Sequence, residues 1–265
     1  MIKSIKRLES KIKTLFWFAK RPSHWPYAIE LIKRNIFNKN QSLINNQNHD
    51  SLIWCKKKCV NIEQALNELG IMEKGLIINK IDGNIIEKGR EKIKAAGVIM
   101  GGEADINLLF NIVSITKSQK IIETGVAFGW SSMAILLAQK NIPNSYLYSI
   151  DMPYPKDNNE SYVGLVIPED LKSNWKLIRE PDRNGLKKVL SRIEGNIDMF
   201  HYDSDKSYEG RKYSYNLIWP KLKKGGILIS DDIEDNSYFM EFTKEKNVRF
   251  SVINSNNKYV GIIIK

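Results

Sequence analysis

Residues 121–137 read IIETGVAFGWSSMAILL, and three local signals follow one another in them without a gap. Ile121, Ile122 and Thr124 are β-branched residues that suit a short buried strand. Gly125 and Gly129 then mark a turn, because glycine enters backbone conformations closed to other residues. From Trp130 the chain continues as an apolar run free of Gly and Pro, which suits a helix. Strand, glycine-rich turn and helix in this order open a parallel α/β sheet. There the turn lies at the carboxyl end of the strand and the helix N-terminus faces a ligand.

The alternation continues downstream. Strands are expected in SYLYSID (145–151), WKLIRE (175–180), IDMFHYD (197–203) and GGILISD (225–231). Between them, RNGLKKVLSRIEG (183–195) and YEGRKYSYNLIWPKL (208–222) carry helical spacing. This predicts a parallel sheet with helices on both faces. After a further helix in SYFMEFTKEK (237–246), VRFSVIN (248–254) and KYVGIIIK (258–265) are separated only by SNN. So short a link forces an antiparallel hairpin, since a parallel crossover needs a dozen or more residues. Upstream, helices are expected over 60–70, closed by Gly70, over 84–98, and in GEADINLLFNIVSITKSQ (102–119). The expected fold is thus α/β, a doubly wound, seven-stranded Rossmann-like sheet with a C-terminal antiparallel hairpin.

A chain of 265 residues with 42% apolar and 27% charged residues has room for one large α/β domain with an extension. The net charge of +11 is uneven: residues 1–60 hold 13 Lys/Arg against 3 Asp/Glu, leaving 28 against 27 beyond them. The reading is a basic helical N-terminal extension over 1–60 and a near-neutral domain over 61–265, whose body has no need of a polyanion partner. Ile2, Ile5, Leu8, Ile12, Leu15 and Phe16 recur at helical spacing among lysines, and a second helix follows from Tyr27 to Phe37. NKNQSLINNQNHD (38–50) reads as a polar loop. Basic, aromatic-bearing helices of this kind suit peripheral contact with an anionic membrane through residues 1–40, or packing on the body or on a second subunit in a homo-oligomer. Cys55 and Cys59 are the only cysteines, with no further ligands nearby for zinc, and read as small apolar residues on one helix face. With no signal peptide and no run of about 20 apolar residues, the expected location is cytoplasmic, including the inner face of the membrane.

Candidate site residues cluster at the strand ends. Gly125 and Gly129 would let the backbone approach a ligand, at a Gly-x-x-x-Gly spacing that lacks the tight pair of a dinucleotide fingerprint. Asp151 ends the next strand, where a carboxylate can accept both hydroxyls of a ribose. NAD and S-adenosylmethionine enzymes both use such a residue, and the glycine spacing favours S-adenosylmethionine. Asp203, Asp231 and Asp232 end two strands that would be neighbours, and a converging carboxylate trio suits Mg²⁺. The plainer use of a strand-end aspartate is to cap the following helix. His201 in FHYD reads as a structural residue or a rival base.

At these residues the chain resembles the class I S-adenosylmethionine-dependent methyltransferases, in particular bacterial relatives of the catechol and caffeoyl-CoA O-methyltransferases and metal-dependent sugar O-methyltransferases. MGGEADINLLF, IIETGVAFGWSS, YSIDMPYP, VGLVIPEDLKSNWKLIREPDR, HYDSDKSYEG and LKKGGILISDDI occur in the family's order over roughly 95–235. The resemblance implies that Glu123, Gly125, Gly129 and Ser131 lie along the methionine part of the cofactor. It places Asp151 on the ribose and Met152 and Asp182 at the adenine, with Asp203 beside them. It makes Asp203, Asp231 and Asp232 ligands of Mg²⁺, and Lys206 the general base. The chain departs from the family in one place, carrying Asp231-Asp232 where the pattern has Asp-Asn. The implied activity is Mg²⁺-assisted methylation of a hydroxyl on a small or glycan-type acceptor. The contrasting classes are a non-catalytic cofactor-binding or membrane-associated scaffold and a nucleic-acid methyltransferase. The neutral body and the lack of an Asn/Asp-Pro-Pro-aromatic motif speak against the last.

Overall fold

The structure is a computed structural model. It describes residues 41–265 apart from 74, 76, 154–158 and 256–257, together with 12, 15–22, 25, 28 and 29. The expected helices over 2–16 and 27–37 fall largely outside the described residues.

In chain order the elements begin with α1 (Gln41–Lys58), β1 (Cys59–Val60), α2 (Ile62–Glu68), α3 (Gly83–Ala96), α4 (Ile106–Thr116) and β2 (Lys120–Thr124). There follow α5 (Trp130–Gln139), β3 (Tyr146–Asp151), β4 (Trp175–Arg179), α6 (Asp182–Leu190) and β5 (Ile197–Tyr202). The last are α7 (Tyr208–Ile218), β6 (Leu222–Ser230), α8 (Tyr238–Lys246), β7 (Arg249–Ser255) and β8 (Lys258–Ile264). Several ends are set by local chemistry. Asn61, Asp82, Asp105 and Ser207 cap α2, α3, α4 and α7 with side-chain oxygens, and Gly97 ends α3 in a left-handed turn.

The strands form one sheet in the order β1-β7-β8-β6-β5-β2-β3-β4. All pairings are parallel except those of β8 with β6 and β7. The expected seven strands and hairpin are present, and the two-residue β1 adds an eighth at the edge, pairing Cys59 with Val252 and Val60 with Ile253. Successive sheet residues serve opposite faces, as the two-residue period requires. Ile121, Met199, Ile229 and Ile262 pack under α2 to α5, while Ile122, Phe200, Leu228 and Ile263 pack under α1, α6, α7 and α8. Helix α5 is buried at nine of its ten positions, which explains its nearly uniform apolarity.

Two sequence expectations are corrected. The stretch expected as a polar loop over 38–50 is helical from Gln41. Its anchor lies further on, where Ser51 and Cys55 are buried and Trp54 stacks on Phe250 at 5.5 Å. Once that end is nucleated by packing, extending a helix through weak formers costs little per residue. Cys55 and Cys59, both free, do not share a helix face, because Cys59 has left α1 for β1. Burial pushes the Cys55 thiol up to about 12, which keeps it protonated and unreactive.

Strand β2 is the switch point. The chain leaves it for β3 and β4 on one side, then crosses back to lay β5 on the other. Ligands of open α/β sheets bind at the carboxyl ends of the strands beside such a point.

Candidate functional site

A cavity of about 790 Å³ opens there, lined from the ends of β2, β3, β4, β5 and β6. The glycine turn forms its floor. Gly125 has φ +83°, and an added Cβ would run into the Asp203 carbonyl. The turn is fixed on both sides, since the Gly125 N–H donates to Ile150 at 2.8 Å and the Asp203 N–H to Thr124 at 2.9 Å. Gly129 has φ +90°, and a Cβ there would lie 2.8 Å from the Gly164 Cα. Gly164 and Val166 donate back to Ala127 and Phe128, each at 3.0 Å. Both glycines make room for the chain's own backbone. Only Gly125 also lines the cavity.

Ser131, Asp151, Met152 and Asp182 all line it. Ser131 lies in the first turn of α5, where unpaired N–H groups favour an anion. Asp151 ends β3 directly opposite Arg179 of β4, which donates to its Oδ2 at 2.7 Å. Burial raises the Asp151 pKa, and the Arg179 charge pulls it back without cancelling the rise. Arg179 also reaches Glu160 at 2.6 Å and 3.0 Å, tying the segment after 158 to the strand ends. Asp182 accepts from Ser204 at 2.6 Å, and burial pushes its pKa up to about 6.

On the other side of the cavity Asp203, Lys206 and Asp232 meet. The Lys206 ammonium donates to Asp203 and lies 2.5 Å from Asp232 Oδ2. Burial alone would lower the Lys206 pKa, but Asp203 and Asp232 outweigh it and hold the pKa above its ordinary value. Lys206 is therefore an ammonium ion that neutralises two carboxylates, a state opposite to that of a general base. Lys258, the first residue of β8, places its Nζ 3.0 Å and 3.3 Å from the two Asp232 oxygens. Asp232 is held with φ +52° by the buried Arg211, which donates to the carbonyls of Asp231 at 2.9 Å and Asp232 at 2.6 Å.

Asp231 turns away from this pair. Its Oδ1 is 3.4 Å from Nε2 of His201, whose Nδ1 lies 3.3 Å from Glu123. Glu123 also accepts from Ser132, and from Ser149 at 2.8 Å. Glu123 and His201 have no exposed surface. Burial disfavours the charged imidazole, but Asp231 and Glu123 outweigh it and push its pKa up to about 10. His201 cannot touch an acceptor, so the rival-base reading is set aside. Glu123 braces the turn from beneath and does not line the cavity.

Magnesium keeps near-octahedral oxygen coordination and needs free carboxylate oxygens. Here Asp203 Oδ1 and both Asp232 oxygens already face two ammonium groups, and Asp231 faces a buried imidazole. Among the described residues no group of three His, Cys, Asp or Glu is placed to hold a metal ion. The expected trio of Asp203, Asp231 and Asp232 thus lies at one end of the sheet, but Asp231 faces His201 and the arrangement does not fit a divalent cation.

A second cavity of about 520 Å³ adjoins the first and shares Asp203, Asp232 and Lys258 with it. Arg179, Ser204 and Lys258 were not singled out from the sequence. Arg179 was within reach of sequence reasoning, as the last residue of the strand beside Asp151. The Lys258 contact depends on the hairpin's register and leaves no local signal.

Residues 122–233, somewhat under half of the chain, match the family model described as a methyltransferase domain. The centre of the chain is therefore similar to a methyltransferase domain. No curated protein sequence matches it. Among solved structures, an O-methyltransferase from Bacillus cereus in complex with SAH is similar at TM-score 0.57 and 13% identity, over 77% of this chain and 100% of that one. The O-methyltransferase TomG from Streptomyces achromogenes, involved in tomaymycin synthesis and in complex with SAM, is similar at 0.56 and 13%, over 72% and 92%. The SAH-bound methyltransferase PaMTH1 from Podospora anserina is similar at 0.52 and 13%, over 86% and 97%. At such identities the likeness establishes the fold, the Rossmann-like sheet with its antiparallel hairpin.

Proposed function

We propose that the protein is an S-adenosylmethionine-dependent methyltransferase that methylates a hydroxyl group of a small or glycan-type acceptor. The observation that carries this reading is one continuous cavity bounded by the Asp151 carboxylate at one strand end and the Asp203–Lys206–Asp232 cluster at others. The SAM and SAH bound in structures of the same fold support the choice of cofactor.

When bound, S-adenosylmethionine supplies an electrophilic methyl group on a sulfonium. The chain's own residues then have five tasks. Asp151, with Oδ2 held by Arg179, accepts the ribose hydroxyls. Ser131 and the α5 N-terminus receive the carboxylate, and Met152 and Asp182 border the adenine. The second cavity receives the acceptor so that its oxygen meets the methyl in line, and positioning of this kind supplies much of the rate. In such a transfer an oxygen–carbon bond would form as the carbon–sulfur bond broke, the sulfur keeping the electron pair. The hydroxyl proton passes to Asp203, which faces both cavities and, unlike Asp232, is paired with one ammonium group rather than two. Mg²⁺, which the resemblance adds, has no fitting ligand set here, and no step is drawn through it.

Calorimetric titration with S-adenosylmethionine and with its demethylated product tests the reading. Micromolar binding of both to the wild type, lost in Asp151→Ala, is the expected result. Silence in both titrations of folded protein would favour the non-catalytic scaffold. The peripheral membrane contact is likewise a proposal. Ile12, Leu15, Phe16, Trp25 and Ile29 are exposed, and the Arg21 guanidinium lies 4.3 Å from the Trp17 ring centroid. No helix of the described residues is long and apolar enough to cross a membrane. Co-sedimentation with anionic but not with neutral vesicles is expected, and equal recovery with both would refute it.

A further inference from the structure

Three strand ends meet above the junction of the two cavities. β5 brings Asp203, β6 brings Asp231 and Asp232, and β8 brings Lys258. The negative charge that Asp232 adds relative to the family's Asp-Asn pattern sits opposite a lysine that grips both of its oxygens, at 3.0 Å and 3.3 Å. Lys206 bridges the same residue to Asp203. The supports are rigid. Arg211, with no exposed surface, donates to the carbonyls of Asp231 and Asp232 and to the Ser230 hydroxyl at 2.5 Å. The Tyr259 N–H, one residue from Lys258, donates to Glu234 at 3.1 Å and so pins the start of β8 to the loop that carries Asp232.

We propose that Lys206 and Lys258 form a built-in cation pair that takes the place of a divalent metal, with their ammonium N–H groups binding the acceptor oxygen at the cavity junction. This rests on the methyl-transfer reading above. Two ammonium groups beside Asp203 and Asp232 balance the local charge without an added ion, and they carry donors not all of which point at carboxylates. Preorganised donors of this kind stabilise negative charge that develops on an attacking oxygen, Lys206 from a half-buried position and Lys258 from an exposed one at the rim. The bonds made and broken are those already given: oxygen–carbon forms, carbon–sulfur breaks with its pair to sulfur, and the proton goes to Asp203. No metal is consumed or required. Lys258 becomes a catalytic residue that the resemblance does not supply, because it enters from the hairpin.

The test needs no identified acceptor. Mn²⁺ binding to the full chain, with and without saturating SAH, is measured by electron paramagnetic resonance for the wild type, Lys258→Met and the double variant Lys206→Met/Lys258→Met. The wild type is expected to show no saturable Mn²⁺ site below about 1 mM, and its SAH affinity is expected to be the same with and without chelator. Removing the lysines leaves uncompensated carboxylates, so Mn²⁺ affinity should rise at least about tenfold in the double variant, with Lys258→Met between. A saturable micromolar Mn²⁺ site in the wild type would overturn the proposal. So would a double variant, folded by circular dichroism, that binds Mn²⁺ no better than the wild type. If SAH itself fails to bind, the methyl-transfer reading falls, while the Mn²⁺ series still reports whether the lysines hold the cation's place.

Discussion

Replacing Gly125 by alanine separates two costs that are usually confounded. Any L-residue at φ +83° takes on left-handed strain of about 1–2 kcal/mol. At Gly125 the new Cβ also runs into the Asp203 carbonyl, and that carbonyl cannot retreat freely because the Asp203 N–H is bonded to Thr124 at 2.9 Å. Forcing a methyl into such a place adds about 1–3 kcal/mol. Gly97 is the control: it has φ +65° and nothing within 4 Å of an added Cβ, so Gly97→Ala carries the strain alone. In urea unfolding, Gly125→Ala is expected to be less stable than Gly97→Ala by about 1–3 kcal/mol. It should also lose affinity for S-adenosylmethionine, because the shift moves Asp203, whereas Gly97→Ala should not. Equal destabilisation to within about 0.5 kcal/mol, with equal cofactor affinity, would refute the claim that Gly125 exists to let β2's turn touch β5's end.

Arg179→Gln frees one Asp151 oxygen and removes the charge that opposes protonation. Cofactor affinity should fall about 10-fold, with the acid limb of its pH profile moving to higher pH, and a profile that stays in place would count against Arg179 as a positioning residue. His201 has a folded-state pKa raised to about 10, so its contribution to stability is complete below about 6.5 and lost as pH rises towards 10. Melting temperatures from pH 6 to 10 should therefore fall more steeply for the wild type than for His201→Gln, and parallel slopes would contradict a charged, buried imidazole. Asp182 behaves in the opposite sense, because burying a carboxylate whose pKa is pushed up to about 6 costs stability as pH rises from about 4 to 6. Asp182→Asn should gain on the wild type by about 1–3 kcal/mol across that window in urea titrations, a gain that would be absent if Asp182 were as acidic folded as unfolded. Trp54→Ala removes the ring stacked 5.5 Å from Phe250 and should cost about 2–4 kcal/mol, whereas a loss under 0.5 kcal/mol would mean that α1 is not anchored there.

The fold was legible because its strands are buried on both faces and its punctuation is local. Ile121-Ile122 and Ile262-Ile263 read as strand without regard to their partners, and Gly70 and Gly97 end helices through their own backbone freedom. Asp151 and Asp203 were found for the same reason, since a strand end is visible in the sequence. The backbone contacts of the two glycines are not legible, because the groups that crowd them, Asp203 and Gly164, lie tens of residues away. The start of α1 was missed because its amide-rich first turns have no helical signature and depend on Trp54 and Cys55 further along. The charge state of Lys206 was equally hidden. The resemblance makes Lys206 the general base, but its second carboxylate, Asp232, arrives from another strand, and Lys258 from a third.

The sheet order carries a consequence for biogenesis. β8 is the latest strand in chain order, yet it lies between β6 and β7. Until residues 258–264 emerge during synthesis, β6 presents a bare edge of consecutive apolar residues, Ile227 to Ile229, to anything else in the cell. The nascent chain can assemble the Asp151 side of the cavity before that moment, but not the Lys258 side. Premature termination within these residues would release a protein with half of its ligand site formed and an open template for strand addition.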